Sequence, residues 1–353
     1  YNPNLDSFSV LQGYKPIQDL PPEDSPWEMP YLKTRYSGDH FFREYPELSE
    51  VPDVLSGEIF QSDGYIDSLP NKHTYSELVS SLDGAKKRIW IEIYTWTDAA
   101  KLIDPIIRAK KRSVDVQVVL EWNVFWTPKI NNPIAKKLKD AGINIVYADN
   151  HRYAFTHAKF WLIDNSYAIS TGNWTASFFD KNREYIYHWK DTSTIIFLEK
   201  IFQSDFSHMW YKGIDSIPTH IVISPIDSRS KIESLITSTQ KNLLIYIQTL
   251  DDDHIISMLE KLRSENKKII ICTADNEANA ARKLDFPDWS WKMIRKPYLH
   301  AKVIIVDHMQ VFIGSHNLTT NAIENNREMG IILNNVPDIV RQIEWDFIQD
   351  GCK

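Results

Sequence analysis

The 353-residue sequence predicts an α/β protein made by duplication, and three observations carry that reading. From about residue 57 onward, apolar runs of strand length alternate with amphipathic helical windows. The order of those elements occurs twice. Each copy also contains the same polar residues at the same spacing, and chance does not produce two such matched sets.

Residues 1–56 stand apart. They hold nearly half of the chain's 17 prolines, among them Pro21, Pro22, Pro26 and Pro30. Proline at that density prevents regular helix or central strand. The expectation is an extended arm pinned to the body by Trp27, Tyr31, Phe41 and Phe42. A lid or partner-binding segment is the sharper alternative.

Residues 57–212 form the first predicted lobe. Tyr75 to Leu82 has helical periodicity, and Arg88 to Tyr94 reads as a buried strand. A helix over Ala99 to Lys111 and a strand over Val114 to Leu120 follow. Ile134 to Ala141 is the next helix and Ile143 to Tyr147 the next strand. Residues 213–353 repeat the order as a second lobe, after a crossover that includes a helix around Ile196 to Trp210. Its helices are predicted at Lys231 to Thr239, His254 to Glu265 and Asn279 to Leu284. Its strands are predicted at Asn242 to Thr249, Lys268 to Cys272 and around Trp291. Val336 to Ile348 reads as a closing helix. Strands alternating with helices of this length imply βαβ units and a mainly parallel sheet covered on both faces.

The matched polar sets follow. His157-Ala-Lys159 is followed by Phe-Trp-Leu-Ile and Asp164; His300-Ala-Lys302 is followed by Val-Ile-Ile-Val and Asp307. In an extended strand residues i and i+2 face the same way, so each imidazole projects beside its ammonium. A polar turn comes next in each copy, at Thr171-Gly172-Asn173 and at Gly314-Ser315-His316-Asn317. Each copy closes on Asn-Arg-Glu, at Asn182-Arg183-Glu184 and Asn326-Arg327-Glu328. A single His-X-Lys is ordinarily a half-buried His beside a solvated Lys. The duplication overturns that reading.

Two imidazoles with Lys159, Lys302, Asn173 and Asn317 suit a phosphoryl group. Lysine supplies positive charge, and the amides hydrogen-bond non-bridging oxygens. One imidazole attacks, while the other protonates the leaving oxygen and then activates water. Each His needs an acidic partner on its other nitrogen, and Glu184 and Glu328 are available. Asp164 and Asp307, at the far ends of the strands, are expected to anchor the turn and the lysines. A metal site from His157, His300, Asp164 and Asp307 is disfavoured by the lysine beside each His. No nucleophile-elbow Gly-X-Ser-X-Gly supports a serine hydrolase.

These residues resemble the phospholipase D superfamily, over about residues 57 to 350, with both copies of its His-X-Lys-X4-Asp signature. The second copy carries the fuller form: His300, Lys302, Asp307, Gly314, Ser315 and Asn317. The first departs from it, because Asn173 directly follows Gly172 and the Gly-Ser pair is absent. A hydroxyl contribution on that side is therefore in question. The resemblance implies a bilobal α/β sandwich with pseudo-two-fold symmetry and one active site at the lobe interface. It also implies phosphodiester cleavage through a covalent phosphohistidine, with no metal and no cofactor. By that analogy His157 is the nucleophile and His300 the general acid; Lys159, Asp164, Asn173, Glu184, Lys302, Asp307, Ser315, Asn317 and Glu328 complete the site. Both copies lie in one chain, which implies a monomer.

The superfamily includes phospholipases, phospholipid synthases and nucleases that share these motifs. Trp122, Phe125 and Trp126 lie on a loop after a strand's carboxyl end, where open parallel sheets bind ligands. Three aromatics there could meet lipid at a membrane surface or stack on bases, or simply pack the lobe. Trp289 and Trp291 are equally open in the second half, whereas Trp96 is expected in the core. Net charge is -7 and the sequence pI about 5.9, so no global basic field draws the protein to nucleic acid. A phospholipid therefore ranks ahead of nucleic acid, the alternative substrate. The two cysteines, Cys272 and Cys352, make no disulfide framework and fix no compartment. No apolar run reaches membrane-spanning length. The compartment stays open, with a bacterial envelope or secreted location compatible.

Overall fold

The computed structural model describes residues 64–211, 213 and 217–352. The proline-rich arm at 1–56 lies outside the described residues. Lobe 1 runs β1 (Tyr65–Leu69), α1 (Lys72–Gly84), β2 (Arg88–Ile93), α2 (Ile103–Lys111), β3 (Asp115–Leu120), α3 (Asn132–Asp140) and β4 (Asn144–Tyr147). It continues through β5 (Lys159–Ile163), β6 (Ser166–Ser170), α4 (Ala176–Asp180), β7 (Asn182–Trp189) and α5 (Thr192–Phe206).

Lobe 2 follows with β8 (Ile221–Ser224), α6 (Ser228–Thr237), β9 (Asn242–Ile247), β10 (Leu250–Asp251), α7 (Asp253–Ser264), β11 (Lys268–Ala274), α8 (Glu277–Asp285) and β12 (Trp291–Ile294). Then come β13 (Tyr298–Leu299), β14 (Lys302–Val306), β15 (Gln310–Gly314), β16 (Leu318–Thr319), α9 (Thr320–Glu324), β17 (Glu328–Asn334) and α10 (Pro337–Gln349).

Local chemistry sets several boundaries. Asn71, Asp191, Asp252 and Asn276 cap α1, α5, α7 and α8, each accepting a backbone N–H of the first turn. The helix predicted from Ala99 splits into a short 3₁₀ turn at Asp98–Ala100 and α2. Pro105 sits in the first turn of α2, where its missing N–H costs no intrahelical bond.

The strand order in lobe 1 is β1-β7-β6-β5-β2-β3-β4, and lobe 2 has the matching order β8-β17-β15-β14-β9-β11-β12. The duplication is thus present in the topology. The sheets, however, are mixed rather than mainly parallel. β2, β3 and β4 run parallel, while β5, β6, β7 and β1 join antiparallel. The reason lies in the motif itself: only Asp164 and Asn165 separate β5 from β6. So short a connection makes a hairpin and cannot cross over to a parallel neighbour. Asp164 and Asp307 take the left-handed conformation at these turns, with φ of 51° each.

One core fills the space between the sheets, another lies under α1, α2 and α3, and a third lies under α6 and α7. The central core takes Phe160, Leu162 and Tyr187 from lobe 1 and Val303, Ile313 and Ile331 from lobe 2. Helices α5 and α10 contribute to it through residues such as Leu198, Phe202, Ile343 and Phe347. The lobes therefore share a core. Cys272 and Cys352 form a disulfide, with Cα atoms 5.8 Å apart, joining β11 to the end of the chain beyond α10. Sequence reading found no disulfide framework in these two cysteines, and they do pair: 80 residues separate them in sequence, and packing of α10 across the sheet brings them together. No helix among the described residues is long and apolar enough to cross a membrane.

Candidate active site

The two motif strands meet across the lobe interface, and each is held by the other lobe. Thr156, just before the first His, bridges Arg327 of lobe 2, and the His157 N–H donates to the Arg327 carbonyl at 2.8 Å. Reciprocally, β13 adds to β7, and the His300 N–H donates to the Arg183 carbonyl at 3.2 Å. The rings follow the same rule. His157 Nδ1 lies 2.8 Å from the Glu328 carboxylate, and His300 Nδ1 lies 2.7 Å from Glu184. Each imidazole is thus oriented through Nδ1 by the opposite lobe's glutamate, and Lys302 Nζ lies 3.3 Å from His300 Nε2.

Both glutamates are fully buried and hydrogen-bonded. Ser315 Oγ donates to Glu328 at 2.5 Å, and Asn326 Nδ2 donates to it at 2.9 Å. Thr171 Oγ1 donates to Glu184 at 2.7 Å, with Asn182 Nδ2 at 3.2 Å. The hydroxyl that the sequence left in question in the first copy is therefore present. Thr171 supplies it, and its oxygen accepts the Tyr185 N–H as Ser315 accepts that of Met329. Sequence reading missed this because lobe 2 has one more turn residue between β14 and β15 than lobe 1 has between β5 and β6. Matching glycine to glycine slips the register by one or two positions.

Lys159 and Lys302 are fully buried beside the histidines. Lys159 Nζ donates to the His157 carbonyl, and Lys302 Nζ donates to the Thr171 carbonyl of lobe 1 at 3.3 Å. Burial pushes the Lys159 ammonium well below its usual range and brings Lys302 down to about 8. Burial, reinforced by Lys159 and Lys302, holds His157 well below the usual imidazole value. Burial lowers His300 too, with Glu184 opposing. The carboxylates differ. Burial dominates at Glu328 and raises it; at Glu184 burial is outweighed by His300 and Lys302, so it is lowered. Asn173 and Asn317 each have a side-chain oxygen buried without a hydrogen-bond partner among the described residues.

Asp164 and Asp307 lie at the opposite ends of β5 and β14, outside this cluster. Asp164 accepts the backbone N–H groups of Lys86, Lys87 and Arg88, and Asp307 accepts those of Gln240, Lys241 and Asn242. Those amides outweigh burial and hold both carboxyls low. They tie each motif hairpin to the start of the neighbouring strand, β2 or β9, and make no link to the lysines.

The aromatic loop divides. Trp122 is only 5% exposed and packs in the core under the lobe 1 helices, so it does not face a substrate. The buried Glu121 beside it accepts the N–H groups of Asn123 and Thr156, coupling this loop to the His157 segment. Trp126 is 56% exposed and touches Phe125. From there a run of rings leads inward: Phe125 to Phe155 at 6.0 Å, Phe155 to Tyr94 at 6.2 Å, Tyr94 to His157 at 4.7 Å. Tyr94 and Phe155 were not foreseen. Trp96 and Trp291 are core residues, and Trp289 packs on the outer core of lobe 2.

A buried asparagine in each lobe also escaped the sequence reading. Asn131 accepts the Trp96 N–H and donates to the Tyr94 carbonyl; Asn279 accepts the Leu250 N–H and donates to the Gln248 carbonyl. They fix the ends of β2 and β9, the strands that pair with β5 and β14.

The family model described as "Cardiolipin synthase, PLD-like domain" matches residues 78–210 and 232–350. A cardiolipin synthase from Alkalihalophilus pseudofirmus is 23% identical over 326 residues, covering 79% of this chain and 64% of that protein. The chain thus spans less than two thirds of that relative's length. Among solved structures, a polyphosphate kinase from Porphyromonas gingivalis superposes with a TM-score of 0.62 at 16% identity, covering 81% of this chain and 50% of that one. A phosphatidylserine synthase from Haemophilus influenzae gives the same TM-score at 14% identity, covering 80% of this chain and 85% of its own. These structures share the fold. Because the family model matches both lobes and well over half of the sequence, the chain belongs to the phospholipase D superfamily, in its cardiolipin synthase, PLD-like domain family.

Proposed function

We propose that the chain is a phospholipase D-type phosphodiesterase or phosphatidyltransferase acting on a phospholipid through a phosphohistidine on His157. The single observation that carries this is the reciprocal pairing of His157 with Glu328 and His300 with Glu184 across the lobe interface. Neutral His157, with Glu328 on Nδ1, attacks phosphorus through Nε2. The phosphorus–oxygen bond to the leaving alcohol breaks, and His300 delivers a proton to that oxygen. His300, now neutral, takes a proton from water or an acceptor alcohol. That oxygen attacks phosphorus, the phosphorus–nitrogen bond breaks, and His157 is restored. Lys159, Lys302, Asn173 and Asn317 stabilise the charge on the non-bridging oxygens.

The family model and the curated relative are both named for cardiolipin synthase, which supports a phospholipid. So does the run of aromatic rings ending at His157, which sets apolar surface beside the attacking imidazole. One chain holds both copies, so a monomer suffices.

The test is an assay of purified protein, with EDTA, on cardiolipin, phosphatidylglycerol, phosphatidylcholine and single-stranded DNA, with ethanol added. Release of headgroup or formation of phosphatidylethanol, lost in His157→Asn, is the expected result. Cleavage of DNA alone would replace the lipid substrate with a nucleic acid. Activity abolished by EDTA would overturn the metal-free steps.

A further inference from the structure

In Asn-Arg-Glu, the Glu orients a histidine and the Asn supports the Glu, which leaves the arginines unexplained. Both are buried. Arg183, in lobe 1, donates through Nε and Nη2 to Asp350 of lobe 2, at 2.7 and 2.9 Å. Its Nη1 also donates to the Leu69 carbonyl at 2.9 Å. Asp350 directly follows α10, two residues before the disulfide at Cys352. Arg327, in lobe 2, donates through Nη2 to Asp205 of lobe 1 at 3.0 Å, with Nε 2.9 Å from the other carboxylate oxygen. Asp205 stands at the end of α5, and the guanidinium lies over the Tyr153 ring at 4.4 Å.

The same two residues hold the opposite lobe's histidine by its backbone, through the Arg183 and Arg327 carbonyls. We propose that Arg183 and Arg327 are positioning residues, one for each half of the reaction. Arg327 is pinned by Asp205 and sets Glu328 against His157; Arg183 is pinned by Asp350 and sets Glu184 against His300. A buried guanidinium must keep its carboxylate partner, so each pair fixes where its strand begins relative to the other lobe. A displacement of about 1 Å at the reacting group costs on the order of 100-fold in rate, so this register is worth fixing. The inference rests on the histidine roles proposed above.

The experiment uses full-length, ¹⁵N-histidine-labelled protein and the variants Arg183→Lys, Asp350→Asn, Arg327→Lys and Asp205→Asn. NMR follows the Nδ1–H resonances of His157 and His300, assigned with His157→Asn and His300→Asn. Kinetics use bis(4-nitrophenyl) phosphate, whose leaving group needs no acid. The Arg183 and Asp350 variants should move the His300 resonance alone. They should keep the rate of the first turnover and slow later turnovers about 10- to 100-fold. The Arg327 and Asp205 variants should move the His157 resonance alone and slow the first turnover itself. Should Arg327→Lys not fold, Asp205→Asn keeps the side-chain shape and provides the same comparison. Both resonances moving together in every variant, or neither moving in any, would overturn the proposal. Split resonances in a protein that cleaves no phosphodiester would sink the proposed chemistry and leave the positioning intact.

Discussion

Behind His157 stands Glu328, bonded by Ser315 and neighboured by His316; behind His300 stands Glu184, bonded by Thr171 and neighboured by Gly172. The hydrogen bonds are equivalent, but the surroundings are not. His316 is fully buried, and neither ring nitrogen has a hydrogen-bond partner among the described residues. Its ring meets Phe312 edge-on at 5.5 Å, in space opened by Gly330, where a Cβ would come within 2.5 Å of the Phe312 ring. In lobe 1 the positions of Phe312 and Gly330 hold Ala168 and Ile186, and Gly172 stands in place of His316. The electrostatics differ in the same sense, with Glu328 raised and Glu184 lowered. Burial lowers both imidazoles, but at His300 the charged Glu184 opposes it, in keeping with the proposed acid. A His157 held well below its usual value suits a neutral nucleophile. The repeat gives both sides one geometry, and the surroundings of the two glutamates differ.

The largest difference between the two sides is expected at Gly172. A Cβ there would lie 2.5 Å from the Glu184 carboxyl carbon and from the Phe178 ring. Gly172→Ala should displace the carboxylate behind His300 and lower kcat about 100-fold. His316→Ala, which places the same methyl at the matching position by removing a ring, should leave kcat within about 3-fold, because that ring donates no hydrogen bond to Glu328. Equal losses in steady-state kinetics would mean that the two sides are not built differently.

The hydroxyls come next. Thr171→Ala and Ser315→Ala should each cost about 10-fold in kcat/KM, or roughly 1.4 kcal/mol, for one hydrogen bond to a charged group. Thr171→Ser should recover most of that loss. A silent Thr171→Ala would return the first copy to lacking a functional hydroxyl.

A smaller effect is expected with pH. Lys302, brought to about 8 by burial, loses its charge as pH rises through that value, so KM should climb several-fold above pH 8. Lys302→Arg should flatten this limb, since a guanidinium stays protonated. A KM that is level from pH 7 to 10 in the parent protein would contradict the assignment.

The smallest effect on turnover concerns the disulfide, which lobe 1 lacks. Reduction should lower stability by about 3 kcal/mol, read as a fall in Tm by calorimetry with and without reductant. An unchanged Tm would show that packing of α10 alone holds the tail.

Much of this could be read in the sequence where a residue's role is local. His157, Lys159, His300 and Lys302 declared themselves because strand periodicity fixes what faces together, and the repeat removed coincidence. Asp164 and Asp307 were placed correctly at the far ends of the strands, though their partners are backbone amides. What stayed hidden depends on contacts across the lobes. That Glu184 serves His300 rather than its own lobe's His157 follows from β13 lying on β7, a pairing no spacing reveals. Arg183, Arg327 and the Cys272–Cys352 bond belong to the same class. Trp122 misled because a loop position after a strand says nothing about which way a ring turns, and here it turns into the core.

In the proposed function the two histidines, one from each lobe, form a single site with unequal roles. The most direct measurement is to quench a His300→Asn variant during turnover of an aryl phosphodiester and map the adduct by mass spectrometry. The account predicts stoichiometric phosphoryl adduct on His157. Adduct on another residue, or none in this variant and adduct on His300 in His157→Asn, would contradict it.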